Sequence, residues 1–126
     1  MNVGQKSTIA VVDDDARVLE SIEDLLESAG HSVRLFSSAQ SLLADGILPE
    51  IDCLIADIGM PVVDGFELRR LALAARPTLP VILITARHEA SDSKRAATAG
   101  YQGFFQKPFD ASAFLAAVTQ ALLATS

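Results

Sequence analysis

Asp13, Asp14 and Asp15 follow directly on the apolar run Ile9–Val12. Three adjacent carboxylates repel one another, so the run reads as a buried strand that delivers them to the edge of a core. Three more polar residues close apolar runs in the same way: Asp57 after CLIA, Thr85 at the end of VILIT, and Lys107 after GFFQ. Carboxylates brought together make a hard-oxygen site suited to Mg2+, which uses few protein carboxylates and keeps several waters. A lysine and a hydroxyl nearby are donors for an anionic group. Metal, lysine and hydroxyl around one carboxylate form a phosphoryl-transfer site, in which the carboxylate attacks phosphorus and positive charge stabilises the equatorial oxygens. Taken singly these residues have plainer roles: an Asp pair after a strand is commonly a helix cap, a strand-end Thr a turn residue, a Lys solvated. Only their joint placement carries the chemistry.

That placement requires elements whose ends meet. TIAVV (8–12), HSVRLF (31–36), CLIA (53–56), VILIT (81–85) and GFF (103–105) read as strands bounded by turn residues or charges. Between the first two, Val18, Leu19, Ile22, Leu25, Leu26 and Ala29 recur at helical spacing, with Asp15 as N-cap and Gly30 to end the helix. Further helices are expected over Ser38–Ala44, capped by Ser37 or Ser38, over Asp64–Ala75, over Glu89–Ala99 and over Asp110–Ala124. The order is (βα)5. Such alternation predicts an α/β fold with a parallel sheet and helices on both faces, because parallel neighbours need crossover connections. Strands buried on both faces are continuously apolar, as AVV and VILI are. Ligands of this architecture bind outside the carboxyl ends of the strands, where Asp13, Asp14, Asp57, Thr85 and Lys107 would converge.

With 126 residues, half of them apolar and about a fifth charged, the chain has the size and balance of one globular domain. No repeat or linker divides it, and one domain over 1–126 is expected, with 1–7 as a short leader and no output domain in this chain. The leader lacks the apolar core of a signal peptide, and no apolar run approaches the roughly 18 to 20 residues that span a bilayer. A cytoplasmic protein without membrane contact is expected. The net charge of −6 with scattered Lys and Arg disfavours direct nucleic-acid binding. The single Cys53 can form no internal disulfide and reads as a small buried apolar residue. His31 and His88 have no partner at metal-ligand spacing and read as solvated or capping residues.

VVDDD, LIADIGMPVVDGFEL, ILITA and GFFQKPF, in this order and spacing, resemble the CheY-like receiver domain of response regulators in two-component signalling, over essentially the whole chain. MPVVDG and GFFQKPF look closest to the receivers of FixJ- or LuxR-type regulators, whose second domain binds DNA. The resemblance implies a doubly wound, flavodoxin-like sandwich on a five-stranded sheet of order 2-1-3-4-5. It implies that Asp57 takes a phosphoryl group from a sensor histidine kinase or a small phosphodonor, as a phosphoacceptor that assists its own phosphorylation and dephosphorylation rather than as an enzyme. Asp14, Asp57 and the backbone carbonyl of Gly59 would hold Mg2+ directly and Asp13 through water. Thr85 and Lys107 would contact the phosphoryl group. Thr85 and Phe104 would switch the face made by the fourth helix, fifth strand and fifth helix, which an output domain, transcriptional in this family group, or a second copy in a phosphorylation-dependent homodimer would read. Asp15 falls out of the site as a helix cap.

Two positions depart from many relatives. Gly59, two residues past Asp57, has no side chain beside the site, and Arg87, two past Thr85, brings a guanidinium; both positions tune phosphoryl lifetime in the family. Two other readings compete. VVDDDAR fits the start of the signature of haloacid-dehalogenase-like phosphatases, which would make Asp13 the nucleophile. A receiver-like interaction module independent of phosphate is the third.

Overall fold

The computed structural model describes residues 7–85, 103–107 and 110–124. Thr8–Val12 form β1, Ser32–Phe36 β2, Cys53–Asp57 β3, Val81–Thr85 β4 and Gly103–Gln106 β5. Ala16–Ser28 (α1), Ala39–Asp45 (α2) and Gly65–Ala75 (α3) lie between the first four strands, with a 3-10 turn at Leu48–Glu50, and a last helix runs over Ala111–Ala124. Every strand pairing is parallel, and the sheet order is β2-β1-β3-β4-β5. The helix expected over Glu89–Ala99, with His88 before it, lies outside the described residues. None of the described helices is long and apolar enough to cross a membrane.

Alternation along the strands divides the interior in two. Ala10, Val12, Leu54, Ala56 and Leu83 share one apolar cluster with Leu42 of α2 and Phe66 and Leu68 of α3. Their neighbours Ile9, Val11, Ile55, Ile82 and Ile84 share the other with Ile22 and Leu26 of α1 and Phe114 and Val118 of the last helix. Every residue of β3 and β4 is buried, so these strands are apolar without interruption until they reach Asp57 and Thr85. Each fully buried Leu, Ile or Phe contributes roughly 1.5–3 kcal/mol, and this holds the sheet between its helices. Cys53 sits in the second cluster as a buried free thiol, its pKa pushed up to about 12 mainly by burial, which leaves it inert at neutral pH.

Local signals set the helix ends. Asp15 caps α1, its carboxylate accepting the Arg17 N–H at 2.9 Å. At the other end Gly30, at φ +92°, donates its N–H to the Glu27 carbonyl, and His31 donates to that of Leu26, which is a Schellman closure. This closure occupies the His31 backbone, so β2 starts at Ser32 rather than at His31. Ser38 and Asp64 cap α2 and α3 through the Ser41 and Glu67 N–H groups. At the start of the last helix the Asp110 carboxylate accepts the Ser112 N–H at 2.9 Å. Of the two phenylalanines in β5, Phe105 packs on the second cluster and meets Phe114 edge to face, with ring centroids 5.5 Å apart.

The connection between β3 and α3 carries a strained residue. Val62 lies at φ +67° and is 90 % exposed. A β-branched residue in the left-handed region costs on the order of 1–3 kcal/mol, against which the greater unfolded-state freedom of glycine offsets about 0.4–1. Val62→Gly is therefore expected to stabilise the fold by about 1 kcal/mol in urea unfolding; a loss of stability would contradict the strain.

Candidate functional site

Three strands end side by side in polar residues. Asp13 follows β1, and its N–H continues the ladder to the Phe36 carbonyl of β2 at 3.1 Å. Asp57 is the last residue of β3 and pairs in register with Ile84, so the strand reaches one residue further than the apolar run alone indicated. Thr85 closes β4, fully buried, and its carbonyl accepts the Lys107 N–H at 2.6 Å, tying the residue after β5 to the same rim. One carboxylate oxygen from each of Asp13, Asp14 and Asp57 lies within 4.8 Å of the others. Asp13 and Asp57 are buried and Asp14 is exposed. Lys107 lies against two of them, its ammonium donating to Asp13 Oδ2 at 2.7 Å and standing 3.7 Å from Asp57 Oδ2.

The two buried carboxylates are not equivalent. Asp13 is 0 % exposed, and both its oxygens are engaged: Oδ1 accepts the Asp15 N–H at 2.9 Å, and Oδ2 accepts from Lys107. Asp57 Oδ1 accepts the Gly59 N–H at 3.1 Å, while Oδ2 has only the lysine at 3.7 Å among the described residues, beyond hydrogen-bond reach. Oδ2 of Asp57 is thus the less stabilised oxygen and the better nucleophile. Attack through either Asp13 oxygen would have to compete with the donor already bound to it, and this geometry speaks against the phosphatase reading.

Burial is the largest influence on the Asp57 carboxyl and raises its pKa. The Gly59 N–H opposes this, the negative charges of Asp13 and Asp14 add to it, and Lys107 opposes it again. Among the described residues three carboxylates face one ammonium, an excess of negative charge in a partly desolvated place. That donor set fits a small divalent cation with oxygen ligands.

The structure therefore brings together Asp13, Asp14, Asp57 and Lys107, with Thr85 on the adjoining strand. Asp15 is turned to α1 as its cap, as its position after the strand indicated. Gly59 adjoins the site: a Cβ built on it would lie 3.6 Å and 3.9 Å from the two Asp57 oxygens, ordinary contact distances. Phe104 pairs with Leu83 in the sheet; its side chain and all of Arg87 lie outside the described residues. Sequence reasoning did not single out Gly65, where a Cβ would meet the Asp57 peptide; it stood only within the LIADIGMPVVDGFEL stretch, near the start of a helix, where a side chain is ordinarily tolerated.

Residues 9–119 match the family described as response regulator receiver domain. The chain belongs to that family. This receiver is 36 % identical over 118 residues to response regulator protein TmoT of Ectopseudomonas mendocina, an alignment covering 94 % of this chain and 54 % of that protein. It is 34 % identical to transcriptional regulatory protein FixJ of Bradyrhizobium diazoefficiens, covering 93 % and 57 %. The chain thus spans just over half the length of these relatives. In three dimensions it superposes on a CheY-like receiver domain protein from Methanospirillum hungatei with a TM-score of 0.83 at 27 % identity, covering 94 % of each chain. As a receiver of two-component signalling, it has relatives that are transcriptional regulators.

The raised Asp57 pKa fixes the sign of a pH effect. An acid that holds its proton more tightly when folded lowers stability as pH rises from the ordinary carboxylate range through the raised folded value. Asp57→Asn removes that loss. The metal-free variant is expected to be more stable than the wild type near about pH 7, with an advantage that shrinks toward about pH 4. Paired urea titrations read the difference, and an advantage that grew in acid would contradict the assignment.

Proposed function

We propose that this receiver is a phosphoacceptor switch in which Asp57 takes a phosphoryl group from a sensor histidine kinase or a small acyl phosphate. The observation that carries the reading is the meeting of Asp13, Asp14 and Asp57 within 4.8 Å, with Lys107 against Asp13 and Asp57. Asp57 Oδ2 forms a bond to phosphorus as the donor's bond to phosphorus breaks, and the leaving group departs with that electron pair. Lys107 sits where it can exchange a carboxylate partner for a phosphoryl oxygen. The Thr85 hydroxyl supplies a further donor from the end of β4. Asp13 keeps Lys107 at the rim and stays out of the bond-making.

The acidic set fits Mg2+, which when bound would offset the carboxylate repulsion and the charge gathering on the phosphoryl oxygens. Asp14, Asp57 and the Gly59 carbonyl are the residues proposed to hold it, with Asp13 acting through water. The chain assists both gain and loss of its phosphoryl group and is not a turnover enzyme. A helix between β4 and β5 completes the (βα)5 sandwich in this reading, with one receiver domain after a short leader.

Thr85 and Phe104 are proposed to couple the rim to the face made by that helix, β5 and the last helix. Added charge and acceptor oxygens at Asp57 bias two packings of this face, and an output domain or a second copy reads the difference. Relatives that are transcriptional regulators support a transcriptional output. Gly59 and Arg87 set how long the phosphoryl group lasts, because a side chain at 59 would stand against the Asp57 oxygens.

Acetyl phosphate with Mg2+ is expected to add one phosphoryl group to the wild type and none to Asp57→Asn, read by intact mass. Equal labelling of the variant would sink the assignment. Gly59→Lys, which puts a stem and an ammonium beside the phosphoryl group, is expected to slow its hydrolysis severalfold; an unchanged decay rate would show that water reaches phosphorus by another path.

A further inference from the structure

Gly65 opens α3 and is buried, with a backbone in a region that any residue can adopt, since positive φ at glycine occurs only at Gly30 and Gly46 among the described residues. Space, not conformation, is what it lacks. A Cβ built on Gly65 would lie 2.7 Å from the Asp57 carbonyl oxygen, 2.8 Å from Ile58 Cα and 2.9 Å from the Asp57 carbonyl carbon. All three atoms are backbone, so no side-chain rotation clears them.

The same peptide is held from the other side. Asp57 pairs with Ile84 of β4, and the Ile58 N–H donates to the Ile84 carbonyl at 2.9 Å. The Asp57–Ile58 peptide is therefore clamped between β4 and the first turn of α3. Nor can the helix back away freely. Asp64 fixes its first turn by accepting the Glu67 N–H at 2.9 Å, and Phe66 and Leu68 are seated in the apolar cluster. The Asp57 side chain leaves one end of this peptide, and Gly59, whose N–H holds Asp57 Oδ1, follows the other.

From this geometry we infer that Gly65 is a positioning residue for the phosphoacceptor: its missing side chain lets α3 press the Asp57–Ile58 peptide onto the sheet and so fixes the carboxylate and the Gly59 backbone together. The inference rests on the phosphoacceptor reading above. Any residue larger than glycine moves that peptide by several tenths of an ångström, whereas Mg2+ demands near-octahedral ligands at about 2.0–2.1 Å. A displacement of this size damages the site out of proportion to its effect on stability.

The test compares Gly65→Ala with Val118→Ala, a truncation in the opposite apolar cluster on the last helix that lowers stability without touching the rim. Three quantities are read: metal-free amide chemical shifts of Ile58 and Gly59, the Mg2+ concentration giving half the maximal rise in melting temperature, and the rate of labelling by acetyl phosphate. Gly65→Ala is expected to shift both amides and to lose about tenfold or more in Mg2+ affinity and labelling rate, with the rate recovering partly at high Mg2+. Val118→Ala is expected to match the wild type in all three. Wild-type Mg2+ affinity and labelling in folded Gly65→Ala, or equal losses in Val118→Ala, would overturn the inference while leaving the phosphoacceptor reading intact. If Gly65→Ala does not fold, Asp64→Ala loosens the same helical turn and is expected to weaken Mg2+ binding severalfold; unchanged binding overturns the inference. A wild type that takes no label overturns the phosphoacceptor reading and this inference with it.

Discussion

Lys107 lies between two buried carboxylates, bonded to Asp13 at 2.7 Å and 3.7 Å from Asp57, and much of the rim depends on that one ammonium. Ionised carboxylates this close and this desolvated repel strongly, and one lysine relieves only part of it. The asymmetry follows. Asp13 has its charge answered by Lys107 and the Asp15 N–H, while Asp57 has, among the described residues, one backbone donor and a raised pKa. A group that gains from losing negative charge is prepared to bond to an electrophile, and a site short of positive charge is prepared for a cation. Both preparations come from a single imbalance.

The sheet creates the imbalance because its central strands are buried on both faces. β3 and β4 expose no residue along their length, so polar groups can appear only where the strands end. Parallel pairing then sets those ends side by side, and the hydrogen bond from Lys107 N–H to the Thr85 carbonyl draws the residue after β5 to the same edge. The connection from β3 to α3 completes the arrangement on one flank. Gly65 allows the helix to meet the Asp57 peptide, and Val62 takes an unfavourable backbone angle in the turn that the Val63 N–H closes onto the Pro61 carbonyl at 2.8 Å.

Much of this was legible in the residues. Asp15 declared itself a cap because it stands just before the first residue of an amphipathic helix, and the ends of α1 fell where the caps put them. The carboxylate set was legible because apolar runs must become strands, and parallel strands bring their carboxyl ends together. What could not be read depends on distances between elements. The 2.7 Å that a Cβ on Gly65 would leave to the Asp57 carbonyl oxygen is set by how closely a helix packs on a sheet, and Val62 sits at the centre of the tight turn that the Val63 N–H closes onto the Pro61 carbonyl at 2.8 Å; neither distance could be read from the residues alone. His31 showed the opposite case: its apolar neighbours favoured a strand, but the Schellman closure of α1 took its backbone first. The inequality of Asp13 and Asp57 was also invisible, since it lies in which oxygens find donors.

A crystal structure of the protein with Mg2+ and beryllofluoride tests the central claim most directly. The account expects beryllium bonded to an Asp57 carboxylate oxygen, the metal among Asp14, Asp57 and the Gly59 carbonyl, and Lys107 Nζ moved from Asp13 onto a fluorine. Beryllofluoride on Asp13, or an adduct on Asp57 with Lys107 still bonded to Asp13 alone, would contradict it.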